Sequence, residues 1–566
     1  MHPTEEAPNT MSSSATSTTD IAILGAGASG THGLLQILKH LSVTSTAFVE
    51  PVRITLIDRD RQFHSGLPYG HRSGRASLLI SDLGHFLPDA ERGAFIDWLD
   101  ERREEMLQWA ADGEAPDSPL AEAMEIDWIR RHEHDIRHSR WNGLYLPRRL
   151  YGQHLAELVS DALTDTRGVA SVDYVHADID EITRSDDGGV RLSGVDGTHE
   201  TRIELHARSL LLAIGSPPVR ELTVVGGERG TTAATDELGS GVIGDLREPS
   251  LDYVIARTRQ RLESLPQDER TILLVGSNAD ALEFILASHW LRSSTAARLH
   301  ILCSRGRPHY WHHDRPGEAA STPLLDRMFA ASEAGEPLRA QDVSRTVAAE
   351  LAAAIRNGNV NSTIAVLIGA VGTSLAYMDD YERYSMATEH GLIINGLLRR
   401  AGGDSLDLLS EGVADGTISF VPGRFREAEI VRDRVRVTVD PPTVAAPAAV
   451  SPLLAADRDY AVVVNGTGFE RVTDTRSVLL RQLLGSGLAR ASASQTGLAL
   501  DSSFRAAAGV FVLGPLIAGH TQGTAAYWHI ESVIRILSLA DQVAERLVAD
   551  LLDRQPMGAS VLAPAR

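Results

Sequence analysis

The chain has 566 residues, 43% of them hydrophobic and 23% charged, with a formal net charge of −21. That length exceeds one ordinary core, so two or three packed units are expected, and the acidic surface disfavours nucleic acid or anionic membranes as partners. A lone cysteine, Cys303, rules out an intrachain disulfide and a redox-active cysteine pair and implies a cytoplasmic protein. No uninterrupted apolar stretch is long enough to span a bilayer, so no membrane partner is expected.

Residues 1–19 lack a basic n-region and an apolar h-region, and they read as a disordered tail. The apolar run 20–24 then enters Gly25-Ala-Gly27-Ala28-Ser29-Gly30, and Leu34, Leu35, Ile37, Leu38 and Leu41 supply the apolar face of a helix over 29–41. Strand, GxGxxG loop and helix in that order make a dinucleotide site. Gly25 permits the tight turn, Gly27 lets the backbone approach a pyrophosphate, and Gly30 lets helix and strand pack closely. After a loop over 42–50, the strand 52–58 ends in Asp58, an acid suited to an adenosine ribose. Further on, His134 and His138 have the i, i+4 spacing of a metal pair, but the cluster lacks a complete ligand set and reads as solvated. A buried-strand run over 209–214 leaves its sheet at Gly215, followed by a loop over 226–241.

A second strand–loop–helix unit begins at 271. It keeps Gly276, carries Asn278 and Ala279 next, and has Ala281 for the third glycine. Asparagine leaves less room for a phosphate, whereas alanine is an accepted variant. The following strand, 297–303, ends in Ser304, Arg305 and Arg307 rather than an acid, which suits the 2′-phosphate of NADPH; a solvated basic turn is the alternative. His309, His312 and His313 read as nucleotide-adjacent, and 377–384 reads as either a pocket wall or an exposed helix with charge pairs. Residues 446–456 read as a loop. The strand 460–464 runs out to Gly468, and both it and 510–513, which ends at Gly514, read as returning to the first unit. A long amphipathic helix is expected over 525–552.

The fold expected is α/β, with two Rossmann-like dinucleotide-binding domains, the second inserted in the first. The expected boundaries are a tail at 1–19, a first domain at 20–265 and 411–566, and a second domain at 266–410 with a helical insertion. A single domain with a decayed duplicate is the alternative.

More particular segments accompany the two loops: Phe63-His64-Ser-Gly66-Leu-Pro-Tyr69-Gly70, the Leu78-Leu79 pair, Phe95 to Trp98, Pro147-Arg148-Arg149-Leu-Tyr151-Gly152, Arg305-Gly306, Gly423-Arg424 and Leu513-Gly514-Pro515-Leu516. Over roughly 20–545 this pattern resembles the bacterial FAD/NAD(P)-binding flavoproteins that include the nitrosuccinate-forming L-aspartate N-monooxygenases, themselves distantly similar to ornithine and lysine N-hydroxylases. It departs from them at Ile80, at Asn278 and over 519–524.

The resemblance implies FAD and NADPH as cofactors and a small amino acid and O2 as substrates. The amine would be N-oxygenated by way of a C4a-hydroperoxyflavin. The residues 25–30, including Gly25, Gly27, Ala28, Ser29 and Gly30, would hold the FAD pyrophosphate and Asp58 its ribose. His64, Tyr69, Arg148, Gly215, Gly468, Gly514, His520, Thr521 and Gly523 would line or cover the flavin site, helped by the positive end of the helix from 525. Gly276, Asn278 and Ala279 would hold NADPH, with Ser304, Arg305 and Arg307 at its 2′-phosphate. Arg148, Arg149 and Arg383 are candidate clamps for an anionic amino acid. No side chain is assigned a catalytic role and no metal is assigned. An NAD(P)H-dependent flavin oxidoreductase without N-oxygenation, or a non-catalytic FAD-binding regulatory protein, stays open, as does a homo-oligomer.

Overall fold

The computed structural model describes residues 17–554 except 46, 47, 49, 76, 114–119, 226–239, 305–307, 309–319, 321, 400, 443–457, 530 and 531. The expected roles of Arg305 and Arg307, the second histidine cluster and the loop over 446–456 therefore fall outside the described residues, as does most of the loop over 226–241.

The chain opens with β1 (Ser17–Leu24), β2 (Val52–Asp58), β3 (Ala170–Arg184), β4 (Val190–Asp196) and β5 (Arg202–Leu212). β1 lies between β2 and β5, parallel to both; β3 is parallel to β2, and β4 closes the set by antiparallel pairing with β3 and β5. After β6 (Val224–Val225) come the strands of a second sheet: β7 (Val242–Ile243), β8 (Thr271–Val275), β9 (Arg298–Cys303) and β10 (Ile418–Pro422). β11 (Arg424–Val431), β12 (Arg434–Asp440) and β13 (Arg458–Tyr460) form a small sheet with β6. β14 (Val462–Asn465) then completes the second sheet, whose order is β10-β9-β8-β14-β7, all parallel. The chain returns to the first sheet with β15 (Arg505–Ala507) and β16 (Val510–Val512), β16 lying beside β5, and ends in a hairpin, β17 (His520–Gln522) and β18 (Ala525–Tyr527), and a helix, Val533–Asp553.

The central strands are continuous apolar runs because parallel sheets are covered on both faces. Ile21, Ala22 and Ile23 of β1 and Ile272, Leu273 and Leu274 of β8 are all buried. On the first sheet, Leu34, Ile37, Leu38 and Leu41 of the helix Ala28–Val43 share one core with Ile536, Leu539, Val543 and Leu547 of the C-terminal helix. Each such side chain, fully buried, stabilises by about 1.5–3 kcal/mol.

Every strand of the second sheet lies between β5 and β15 in the chain, so the second unit is inserted in the first. The two crossings run side by side: Glu470 N donates to Pro218 O at 2.9 Å, and Arg220 N donates to Gly468 O at 2.8 Å. A helical layer, with Pro323–Glu333, Ala340–Asn357 and Val360–Ser374, builds its own core around Leu367, Met386 and Ile394 and takes in Trp528.

Four expectations are corrected. The first strand begins at Ser17, inside the expected tail, because Thr19 Oγ1 donates to Arg53 O at 2.8 Å and the strand pairs with β5. The strand at 462–465 pairs with β8 in the second sheet rather than returning to the first. The second unit consequently reaches from β7 to β14, beyond 266–410, since short edge strands and the helix Leu251–Glu263 also pack on that sheet. The C-terminal helix starts at Val533 and not at 525, because 525–527 pairs as a strand with 520–522. In the helical layer, Val360–Tyr377 is long and apolar enough by composition to cross a membrane, with 39% of it buried. Asn361, Ser362 and Thr363 interrupt its apolar run.

Candidate functional site

The first glycine loop stands at the C-terminal end of β1, where β2 and β5 flank it. Gly25 has φ +100°, and a Cβ there would come 2.4 Å from Ala213 O; a Cβ on Gly30 would come 1.8 Å from Gly25 O. Only glycine fits either position. Gly27 caps the helix Ala28–Val43 and no side chain takes up its amides, which leaves the positive helix end open to an anion. Asp58, at the end of β2, accepts from Ala26 N at 2.6 Å and from Asp60 N at 2.8 Å. Burial raises the pKa of its carboxyl, against the lowering effect of those two amides. The acid is thus held beside the loop, where a ribose bound to the same loop would meet it. Gly215, where β5 exits, has φ +80° and open space where a Cβ would stand. The bare helix end and that open space fit a dinucleotide.

A strap over 63–70 crosses this loop. Gly66 has φ +59°, and a Cβ on it would come 2.6 Å from Gly27 Cα. His64, itself at φ 73°, is buried between Thr31 Oγ1 at 3.4 Å and the Tyr174 hydroxyl at 3.1 Å, and burial lowers its pKa to about 4, so the ring is neutral. Tyr69 is buried edge-on to Tyr151, its hydroxyl pushed up to about 12 by burial. From the other side, Gly514 at φ +95° seats against Ser29, where a Cβ would come 2.4 Å from Ser29 Oγ. His520 and Thr521 lie on β17, paired with Tyr527 and Ala526, and Gly523 makes the turn at φ +54°. His520 packs against Phe504 and Tyr527; its pKa is lowered by burial, and its Nε2 has no hydrogen-bond partner among the described residues.

The second loop repeats the turn but not the opening. Gly276 has φ +100°, and a Cβ on it would come 2.3 Å from Gly466 O. Gly468, at φ +94°, stands at the exit of β14 as Gly215 stands at the exit of β5. Here, however, Asn278 caps the helix Ala279–Thr295 with its own side chain, accepting from Ala281 N at 2.9 Å. Ala281 is fully buried under Gly466. Ser304 is exposed just beyond β9.

The candidate clamps are all occupied. Arg148 pairs with Glu283 and donates from Nε to Leu78 O at 2.7 Å; Arg149 pairs with Glu125; Arg383 bonds Leu375 O, Met378 O and Asp380. Glu283 also takes Arg247 at 2.7 Å and Ser77 Oγ at 3.2 Å, tying the first unit to the second. Cys303 is buried, its thiol pushed up to about 12, and is no thiolate nucleophile. His138 Nδ1 lies 2.7 Å from His134 O, and among the described residues no group of three or more His, Cys, Asp or Glu is placed to hold a metal. Tyr381, in the helix Asp380–Ser385, is exposed.

A family model described as FAD-NAD(P)-binding matches residues 22–217, the region that holds the first loop and its flanking strands. An uncharacterized protein of Mycobacterium tuberculosis is 30% identical over 546 residues, spanning 94% of this chain and 96% of the relative, and one of Mycobacterium bovis matches equally. The chain belongs to their family. An ornithine hydroxylase of Pseudomonas aeruginosa shares the family fold at a TM-score of 0.50 with 13% identity, over 95% of this chain and 99% of that one. An ornithine N-hydroxylase of Kutzneria sp. 744 matches at a TM-score of 0.48 with 16% identity, over 95% and 99%.

Within this family fold, two site features escaped the sequence reading. Glu283 sits between Leu282 and the apolar run Phe284-Ile-Leu-Ala287, a charge flanked by apolar residues that signals a buried partner. Arg535 stands alone in the same way within Val533-Ile-Arg535-Ile-Leu.

Proposed function

We propose that this protein is an FAD- and NADPH-dependent N-monooxygenase, cytoplasmic, that oxygenates the amine of a small amino acid, with L-aspartate the first candidate. The observation that carries the reading is the pair of glycine turns at the C-terminal ends of parallel strands in two sheets, the second unit inserted in the first. Two dinucleotides, one to deliver electrons and one to receive them, match that duplication. Bound FAD would supply electron transfer and the activation of dioxygen.

The protein's own residues bind, orient and shield. The amides at the start of the helix Ala28–Val43 hold the pyrophosphate, and Asp58 receives the ribose hydroxyls. The strap at 63–70, pinned by the neutral His64 between Thr31 and Tyr174, excludes water from the loop. Gly276 to Ala281 receives NADPH, with Ser304 towards its 2′-phosphate. No covalent nucleophile is required. The amine must be unprotonated to react, and exclusion of water from the site favours that form.

The test is purification with FAD, anaerobic reduction by NADPH, then air and L-aspartate with mass spectrometry of the product. Reduction followed by an N-oxygenated aspartate is expected; reduction with peroxide alone for every amino acid offered would sink the reading. The Asn278 cap favours a second reading, an FAD-binding protein that takes no pyridine nucleotide, for which NADPH would leave the flavin oxidised.

A further inference from the structure

Arg148, Arg149 and Arg383 are all engaged within the protein, which leaves open what would hold the carboxylate of an amino-acid substrate. Among the described residues, Arg535 has donors left without a partner. Its helix begins at Val533, which is buried in the same cluster as Ala28 of the first glycine loop and Tyr69 of the strap. Trp528, just before that helix, belongs instead to the core of the helical layer, where a Cβ on Gly391 would come 2.4 Å from its ring. Trp528 and Val533 therefore link the helical layer to the core beside the first glycine loop. Arg535 is half-buried at this junction, its guanidinium 5.1 Å from the Trp528 ring centroid, and among the described residues it makes one hydrogen bond, from Nη1 to His529 O at 2.6 Å. A guanidinium offers five N–H donors. No carboxylate pairs with it among the described residues.

We propose that Arg535, stacked on Trp528 between the first glycine-loop unit and the helical layer, is the anion clamp that binds the substrate carboxylate. The inference rests on the amino-acid substrate proposed above. The stack on Trp528 fixes the guanidinium plane, and a fixed plane presents parallel N–H groups that match a carboxylate bidentately. A half-buried cation without an acid costs desolvation, which a bound anion offsets. Burial accordingly lowers the Arg535 pKa. Nucleotide phosphate is the other source of the same chemistry, and the test separates the two.

The FAD-loaded protein is titrated with L-aspartate and with aspartic diamide, which keeps the amine but has no carboxylate, following the flavin difference spectrum. L-Aspartate should bind at least about tenfold more tightly than the diamide. Arg535→Gln should erase that preference, and Arg535→Lys, which keeps the charge without the fork, should fall between. NADP+ titrations of the same variants should stay within about twofold of the parent. Equal binding of the two ligands by the parent protein would overturn the proposal, as would an undiminished preference in Arg535→Gln. A loss of NADP+ affinity with aspartate binding intact would overturn it too, by assigning Arg535 to the nucleotide. If Arg535→Gln loses its FAD, Arg535→Lys and the parent's own ligand preference carry the test. The N-oxygenation reading fails on a different measurement, the absence of product; product from a neutral amine with no carboxylate preference would sink the clamp alone.

Discussion

The two glycine loops share a backbone and differ in their mouths. Gly25 and Gly276 both turn at φ +100° under a neighbouring strand's carbonyl, and Gly215 and Gly468 open the exits beside them. Yet the first helix is capped by a glycine with no side chain across its amides, while the second is capped by Asn278 from within. A helix end that satisfies itself holds an anion less strongly, because the ligand must displace an existing hydrogen bond. On the proposed reading, the open first loop suits a dinucleotide that stays bound, and the capped second loop one that comes and goes.

Four measurements would break or sharpen that contrast. Gly30→Ala should have the largest effect: with 1.8 Å to Gly25 O the loop must move, at a cost of about 3 kcal/mol, and the purified protein should lose its flavin absorbance. Gly276→Ala meets Gly466 O at 2.3 Å in a conformation costing L residues about 1–2 kcal/mol. It should retain FAD while reduction by NADPH slows at least about tenfold in stopped flow; flavin loss in both variants would show that the loops are not independent.

Next in size is a pH effect tied to the first loop. Burial, with His154 adding to it for His32, lowers the His32 and His64 pKa values to about 4, below the ordinary 6.5. The stability they support is complete above pH 6.5 and is lost as pH falls through that value towards 4, where the unfolded chain takes up protons that the folded one refuses. The melting temperature should therefore fall over that window, with FAD released alongside, and His64→Gln should flatten the fall; a profile unchanged in that variant would separate His64 from the loss. The smallest effect belongs to Asn278→Gly, which costs a few tenths of a kcal/mol in stability. Removing the internal cap should tighten NADP+ in a spectral titration, and unchanged affinity would mean that the cap does not compete with the nucleotide.

Much of the site was legible because its signals are local. Gly25, Gly30 and Gly276 announce turns that no Cβ allows, and Asp58 follows from the length of one strand. The loop exits at Gly215 and Gly468 were equally visible, but their assignment to sheets was not. A short apolar run such as 462–465 pairs equally well in either sheet until its neighbours are placed. The hairpin at 520–527 failed for a related reason: Ala525, Ala526 and Tyr527 suit a helix, and only the pairing of His520 with Tyr527 makes them a strand.

The sequence by itself determined that the chain folds as two strand–glycine-turn–helix units, because steric exclusion at a glycine and apolar periodicity act within a few residues. Tertiary structure alone decided which arginines are paired. Arg148 is neutralised by Glu283 and Arg149 by Glu125, whereas Arg535 meets an aromatic face and one carbonyl. Charge pairing depends on distances across the fold, and residue order does not encode those distances locally.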